Sequence, residues 1–165
     1  TLVSYGRYPY RRFWTGLTDK DREIVEQTIE ITGLNDLENR LLHHLSGGER
    51  QRAWIAMTIC QQPEILILDE PITYLDVGYQ LDVMELIKEL GEKLKITIIM
   101  VLHDINLASR YSHQLYSIKD KKIYACGTPR QMITQEKLMD VYNIGSQIYE
   151  DQVNSCPFVI PEKKH

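Results

Sequence analysis

Apolar spacing along the chain switches between helical and strand periods, and each switch predicts a new element. Leu2-Val3 opens on an apolar pair, and Gly6-Arg7-Tyr8-Pro9 predicts the end of that first element. Proline removes a backbone donor and biases the residue before it away from helix. Arg11, Arg12, Phe13 and Trp14 read as an exposed basic and aromatic loop, either a solvated turn or a docking surface. Thr18 and Asp21 can cap a helix running to about Thr32, with Ile24, Thr28 and Ile31 on one face and Gly33 closing it. A short helix is expected over residues 35–43. At Ser46, followed three residues later by Glu49, the sequence fits a capping box. Behind it Ala53, Ala56, Met57 and Cys60 form a helical stripe, with Ile55 and Ile59 beside it.

Pro63 ends that helix and the period changes. Ile65-Leu66-Ile67-Leu68 is a continuous apolar run, the pattern of a parallel strand buried on both faces. Residues 77–94 return to helical spacing through Val83, Leu86, Ile87, Leu90 and Leu94. Residues 96–102 form a second run, rich in β-branched side chains, that ends at His103-Asp104. Strand, helix, strand in this order predicts a βαβ unit. Neither apolar run carries the usual edge guards of charge, proline or bulge along its length. Beyond them, residues 114–119 and 122–126 predict a hairpin across Asp120-Lys121. Pro129 opens a short helix, residues 135–142 form another, and weaker strands lie at 147–149 and 158–160. The fold class is α/β.

Composition narrows this only slightly. The chain has 165 residues, 43% hydrophobic and 25% charged, and no apolar run approaches the roughly 20 residues of a membrane span. A net charge of −4 argues against a general nucleic-acid binder. Three scattered cysteines suit a reducing compartment better than a metal cluster, and His43-His44 reads as a solvated pair.

The chemistry concentrates at three places. Gly47 and Gly48, in the first turn behind Ser46, leave backbone N–H groups uncovered at a helix end whose dipole favours phosphate. Ligands in open α/β sheets bind beyond the carboxyl ends of strands. There the first strand runs into Asp69-Glu70 and the second into His103. Asp69 can hold Mg²⁺ through oxygen, Glu70 can orient or deprotonate a water, and His103 can donate to a phosphoryl oxygen as charge develops. Singly, Asp-Glu-Pro is a common strand exit and a lone histidine is usually structural. In combination with the Ser46 helix tip they point to metal–nucleotide chemistry.

The same residues carry a family resemblance. Leu45 to Arg52 (LSGGERQR) resembles the signature motif of ATP-binding-cassette (ABC) ATPases, and Ile65 to Glu70 (ILILDE) resembles their Walker B strand. Leu75-Asp76 is similar to the D-loop and His103 to the H-loop histidine. Gly6-Arg7-Tyr8-Pro9 and residues 101–111 (VLHDINLASRY) are similar to the subfamily serving iron–siderophore, haem and cobalamin importers. The resemblance implies a partial P-loop NTPase core with a mostly parallel sheet, plus the ABC helical subdomain. Residues 1–48 would be that subdomain, carrying a permease-docking surface, and residues 49–165 the C-terminal part of the RecA-like core.

Roles follow for matching positions. Leu45 opens the motif in which Ser46, Gly47 and Gly48 would clamp the γ-phosphate of ATP held by the opposite subunit. Glu49 stands where glutamine is commoner, which touches only the ribose-side contact. Asp76 would communicate across the dimer, Asp69 would assist Mg²⁺, Glu70 would polarise the hydrolytic water and His103 would contact the γ-phosphate. Ile72 replaces the usual threonine, a packing adjustment. The implied cofactors are ATP and Mg²⁺. The implied partners are a second ATPase subunit in a homodimer, a membrane permease and, indirectly, a substrate-binding protein, with no nucleic acid. The implied location is the cytoplasm, peripheral on the inner face of the cell membrane. No G-x-x-x-x-G-K-[ST] occurs, and no lysine follows a glycine anywhere. The expectation is therefore a C-terminal fragment, without phosphate loop or Q-loop, that is inactive alone. Two alternatives stand beside the importer reading: a soluble ABC ATPase of DNA-repair type, although no heptad run suggests its coiled coil, and a non-catalytic interaction fragment.

Overall fold

The computed structural model describes residues 1–10 and 16–163. The basic aromatic stretch at 11–14 lies outside the described residues. The chain divides into two compact units, Thr1–Val101 and Leu102–His165.

The first unit opens with a 3-10 helix over Val3–Tyr10 that runs through Pro9. The expected break at Gly6–Pro9 does not occur, because proline's fixed φ is close to that of a 3-10 turn. Helix α1 spans Asp19–Ile31. Its cap is the one the sequence predicts: the Thr18 hydroxyl accepts from the Asp21 N–H at 3.1 Å, and the Asp21 carboxylate accepts from the Thr18 N–H at 3.1 Å. Gly33, at φ +64°, turns the chain away, a conformation glycine adopts without strain. The helix expected over 35–43 is instead two 3-10 turns, Asn35–Leu37 and Leu42–His44. This stretch folds on short-range bonds such as Leu37 N–H to Leu34 O, 2.9 Å, and His44 N–H to Leu41 O, 2.8 Å.

Helix α2 spans Gly47–Ile59 and buries Ala53, Ile55, Ala56 and Ile59. One apolar core joins it to the 3-10 helix and α1 through Val3, Ile24, Ile29, Leu34, Leu45 and Cys60. Strand β1 (Ile65–Asp69), helix α3 (Val77–Leu94) and strand β2 (Thr97–Val101) form the predicted βαβ unit. β1 and β2 pair in parallel, with Ile65 opposite Thr97 and Asp69 opposite Val101. α3 buries Val83, Met84, Ile87 and Leu90. A Cβ on its Gly91 would sit 3.1 Å from Ile98 Cδ1, so α3 lies against the sheet face that carries Leu66 and Ile98. The opposite face is apolar yet exposed: Ile65 is 56% and Ile67 70% accessible, and Ile99 and Val101 share that face. β1 is therefore buried on one side, where the continuous apolar run predicts burial on both.

The second unit begins with α4 (Ile105–Tyr111), a helix absent from the sequence reading. The Asp104 carboxylate caps it, accepting from the Asn106 and Leu107 N–H groups at 2.8 and 2.9 Å. β3 (Leu115–Lys119) and β4 (Lys122–Gly127) form the expected hairpin. Both turn residues, Asp120 and Lys121, have positive φ, which matches the right-handed twist of the flanking strands. α5 (Pro129–Met132), α6 (Gln135–Tyr142) and an antiparallel pair, β5 (Gly145–Asp151) with β6 (Cys156–Glu162), complete the unit. Ile133, Leu138 and Val159 form its small core. Asn106 ties α4 to β6 on both sides of one residue, donating to the Val159 carbonyl at 3.1 Å and accepting from its N–H at 2.7 Å.

Candidate functional site

The tip of α2 is built as its sequence requires. Ser46 is the N-cap, in extended backbone, and its hydroxyl accepts from the Glu49 N–H at 3.2 Å while the Glu49 carboxylate accepts from the Ser46 N–H at 2.7 Å. That N–H, donating to it, holds the Glu49 carboxyl below the usual carboxylate range; burial opposes this, while the Ser46 hydroxyl and the Arg40 and Arg52 charges add to it. Leu45 is buried and anchors the approach. Gly47 and Gly48 follow, and among the described residues nothing accepts a hydrogen bond from either N–H. Two donors at a helix N-terminus, with aligned dipoles behind them, fit an anionic oxygen.

The glycines have a second reason to be there. A Cβ on Gly48 would lie 2.5 Å from Tyr79 Cδ1, and one on Gly47 would lie 3.1 Å from Leu75 Cδ2. The tip therefore abuts the turn that joins β1 to α3, and Gly48 is closed on its Cα side by a tyrosine ring. Sequence spacing shows the free N–H groups but not this packing, because Tyr79 is 31 residues away and meets Gly48 only in the folded unit.

β1 delivers Asp69 and Glu70 to its carboxyl end, both exposed. Glu70 sits at φ +47°, a left-handed conformation that costs a non-glycine residue about 1–3 kcal/mol. Three bonds hold it there: its N–H donates to Val101 O at 3.2 Å, its carbonyl accepts from the Thr73 N–H at 3.2 Å, and its carboxylate accepts from the Thr73 hydroxyl at 2.9 Å. Pro71 and Ile72 are buried, so the isoleucine is accommodated by packing. Asp76 is the N-cap of α3, and its side chain makes no capping bond, which leaves the carboxylate exposed. Exposed carboxylates are the oxygen donors that a hard divalent cation takes.

The first unit thus gathers Ser46 to Glu49 against the Leu75–Asp76 turn and places Asp69 and Glu70 at the exit of β1. His103 is exposed and belongs to the second unit, at the start of the segment leading into α4. His43 and His44 stack edge-on at 4.2 Å, and among the described residues no cluster of three or more histidine, cysteine and acidic side chains is placed to hold a metal ion. Cys60 and Cys156 are buried and Cys126 is exposed, all as free thiols.

A capped, glycine-tipped helix behind a βαβ unit with an acidic strand exit defines the ABC ATPase form of the P-loop NTPase fold. A solved transporter described as metal-chelate type, in an inward-facing conformation, matches it with a TM-score of 0.88 at 23% identity, over 98% of this chain and 65% of that one. The ABC transporter family model matches residues 6–73. The "Probable siderophore transport system ATP-binding protein YusV" of Bacillus subtilis is 47% identical over 160 residues, 97% of this chain and 58% of that protein. The petrobactin import ATP-binding protein FpuD of Bacillus anthracis is 45% identical over 163 residues, 99% of this chain and 60% of that protein. The chain belongs to the ABC transporter family. It spans about three-fifths of the length of these relatives.

Proposed function

We propose that this chain is part of the ATP-hydrolysing subunit of an ABC importer for iron(III)-siderophore or related chelates. The observation that carries the reading is the LSGGERQR helix tip, capped through its own side chains and left with two uncommitted N–H donors. The names of the relatives, siderophore and petrobactin import, support the cargo class and leave the DNA-repair alternative unfavoured.

In this reading two subunits pair, and the Ser46 hydroxyl with the Gly47 and Gly48 N–H groups donates to the γ-phosphate of ATP held by the opposite subunit. Asp69 would hold Mg²⁺, which supplies charge neutralisation at the phosphates. Glu70 would take a proton from the attacking water as the bond to the β-phosphate oxygen breaks, releasing ADP and phosphate. His103 would donate to the γ-phosphate, and Asp76 would meet the opposite subunit. The phosphate loop, which is not found in this sequence, would be supplied by sequence outside these 165 residues.

Residues 1–48 would form the helical subdomain that docks a membrane permease, with a substrate-binding protein acting indirectly on the far side. A groove of about 920 Å³ supports this, with Leu2, Val3, Tyr5, Leu34, Leu41 and Leu45 in its lining. Tyr5 and Tyr8 stack beside it with ring centroids 5.1 Å apart. Among the described residues no helix is long and apolar enough to cross a membrane. The subunit would sit in the cytoplasm, held to the membrane's inner face through the permease.

Steady-state hydrolysis of Mg-ATP tests the proposal. In the complete protein, Glu70→Gln should lower turnover by about 10²–10⁴-fold while ATP binding survives. The 165-residue chain alone should show no appreciable turnover, because its sequence contains no phosphate loop to cradle the β- and γ-phosphates. Near-normal turnover by Glu70→Gln would remove the general-base assignment.

A further inference from the structure

The packing beneath the α2 tip has a consequence for the proposed reaction. Gly48 is buried, and the position its Cβ would take lies 2.5 Å from Tyr79 Cδ1, 2.9 Å from Cγ and 3.0 Å from Cβ. The Tyr79 side chain therefore fills the space where every other residue type carries its own side chain. Tyr79 is itself 39% exposed, so it forms part of the outer surface around the tip. Its neighbour Gln80 donates from Nε2 to the Leu75 carbonyl at 2.9 Å, and the Gln80 N–H donates to Asp76 O at 2.9 Å. Leu75 in turn abuts Gly47. The first turn of α3 thus grips both pieces that the proposed function assigns to the subunit interface: the signature tip through Tyr79, and the Leu75–Asp76 turn through Gln80.

We infer that Tyr79 is a positioning residue for ATP hydrolysis, whose ring fixes the α2 tip, and with it the Gly47 and Gly48 N–H groups, relative to the Asp76 turn. The inference rests on the reading of that tip as a phosphate site. The capping box orders the tip internally, but it does not set where the first turn of α2 sits against α3; the Tyr79 and Leu75 contacts do. Donors aimed at developing charge act only within a few tenths of an ångström of their target, so a tip released from Tyr79 keeps its hydrogen-bonding groups and loses their aim.

Mg-ATP hydrolysis by the complete protein, with ADP binding measured on the same samples, tests this. Tyr79→Ala should lower kcat/KM by about 10–100-fold. Tyr79→Phe should retain kcat/KM, because the phenyl ring makes the same contact with Gly48. Both should bind ADP as the unsubstituted protein does, since the tip faces the other subunit's nucleotide. Undiminished kcat/KM in Tyr79→Ala would overturn the inference, as would an equal loss in Tyr79→Phe, which would place the effect on the hydroxyl. Weakened ADP binding in Tyr79→Ala would overturn it too, by showing general damage. If Tyr79→Ala does not fold, Tyr79→Leu replaces it under the same criteria. Ser46→Arg in the same assay separates the two levels. Near-normal hydrolysis by Ser46→Arg would remove the phosphate reading of the tip and this inference with it. Loss in Ser46→Arg alongside normal Tyr79→Ala would remove the inference alone.

Discussion

The two ends of α2 solve the same problem in opposite ways. Every helix end leaves backbone groups without intrahelical partners. At the rear, the protein supplies them. Arg7, 5% exposed, donates to the Cys60 carbonyl at 3.0 Å and to the Asp21 carboxylate at 2.9 Å, and the Tyr10 hydroxyl donates to the Gln61 carbonyl at 2.7 Å. The 3-10 helix presses so closely there that a Cβ on Gly6 would lie 2.2 Å from the Met57 carbonyl oxygen. At the front, the Glu49 N–H is met by Ser46, while the Gly47 and Gly48 N–H groups have no acceptor among the described residues. The helix is thus welded at its rear and keeps uncommitted donors at its tip.

The largest expected effect breaks the weld. Arg7→Met removes the guanidinium from a buried pair and leaves the Asp21 carboxylate without its cation, a strongly destabilising change. Denaturant unfolding should show it as the greatest loss of this set. Gly6→Ala should follow, at about 1–3 kcal/mol, because the new methyl must displace the Met57 carbonyl or the 3-10 helix itself. Ser46→Ala, at the open end, should cost only about 1 kcal/mol for the lost cap, with the helix retained by circular dichroism. An equal or larger loss at Ser46 would erase the contrast between the two ends.

The smallest effect is one of pH. The Thr18 hydroxyl first, and then Arg7, hold the Asp21 carboxyl down at about 2. A depressed carboxyl stabilises the fold fully above the ordinary aspartate range near pH 4, and that contribution is lost as pH falls through about 2. Asp21→Asn should therefore flatten the acid limb of a stability–pH curve between those values, and an unchanged limb would show that Asp21 is not the group responsible.

Local chemistry was legible and remote packing was not. The Thr18–Asp21 and Ser46–Glu49 boxes, the Val77–Leu94 helix and the Asp120-Lys121 hairpin are fixed by residues within a few positions of one another. The acidic exit of β1 and the glycine tip of α2 belong with them. The 3-10 course through Pro9 is not legible locally, because a proline taken alone signals a break. α4 is hard to see in the sequence because its cap, Asp104, follows directly on His103 at the exit of the second apolar run. The apolar run 65–68 marks β1 as a strand of a βαβ unit, yet an alternation of buried Leu66 and Leu68 with exposed Ile65 and Ile67 cannot be read from four aliphatic residues. The Tyr79 contact with Gly48 is the extreme case: a glycine requirement created by a residue in another helix.

If the open tip of α2 receives the γ-phosphate of ATP held by a second subunit, ATP should hold two subunits together through Ser46. Sedimentation of the complete protein carrying Glu70→Gln, with and without ATP, tests it most directly, because slow hydrolysis holds the nucleotide-bound state long enough to observe. ATP should convert the protein from monomer to dimer, and adding Ser46→Arg should abolish that conversion while each subunit still binds ATP. A Ser46→Arg protein that dimerises with ATP as readily as its parent would contradict the account.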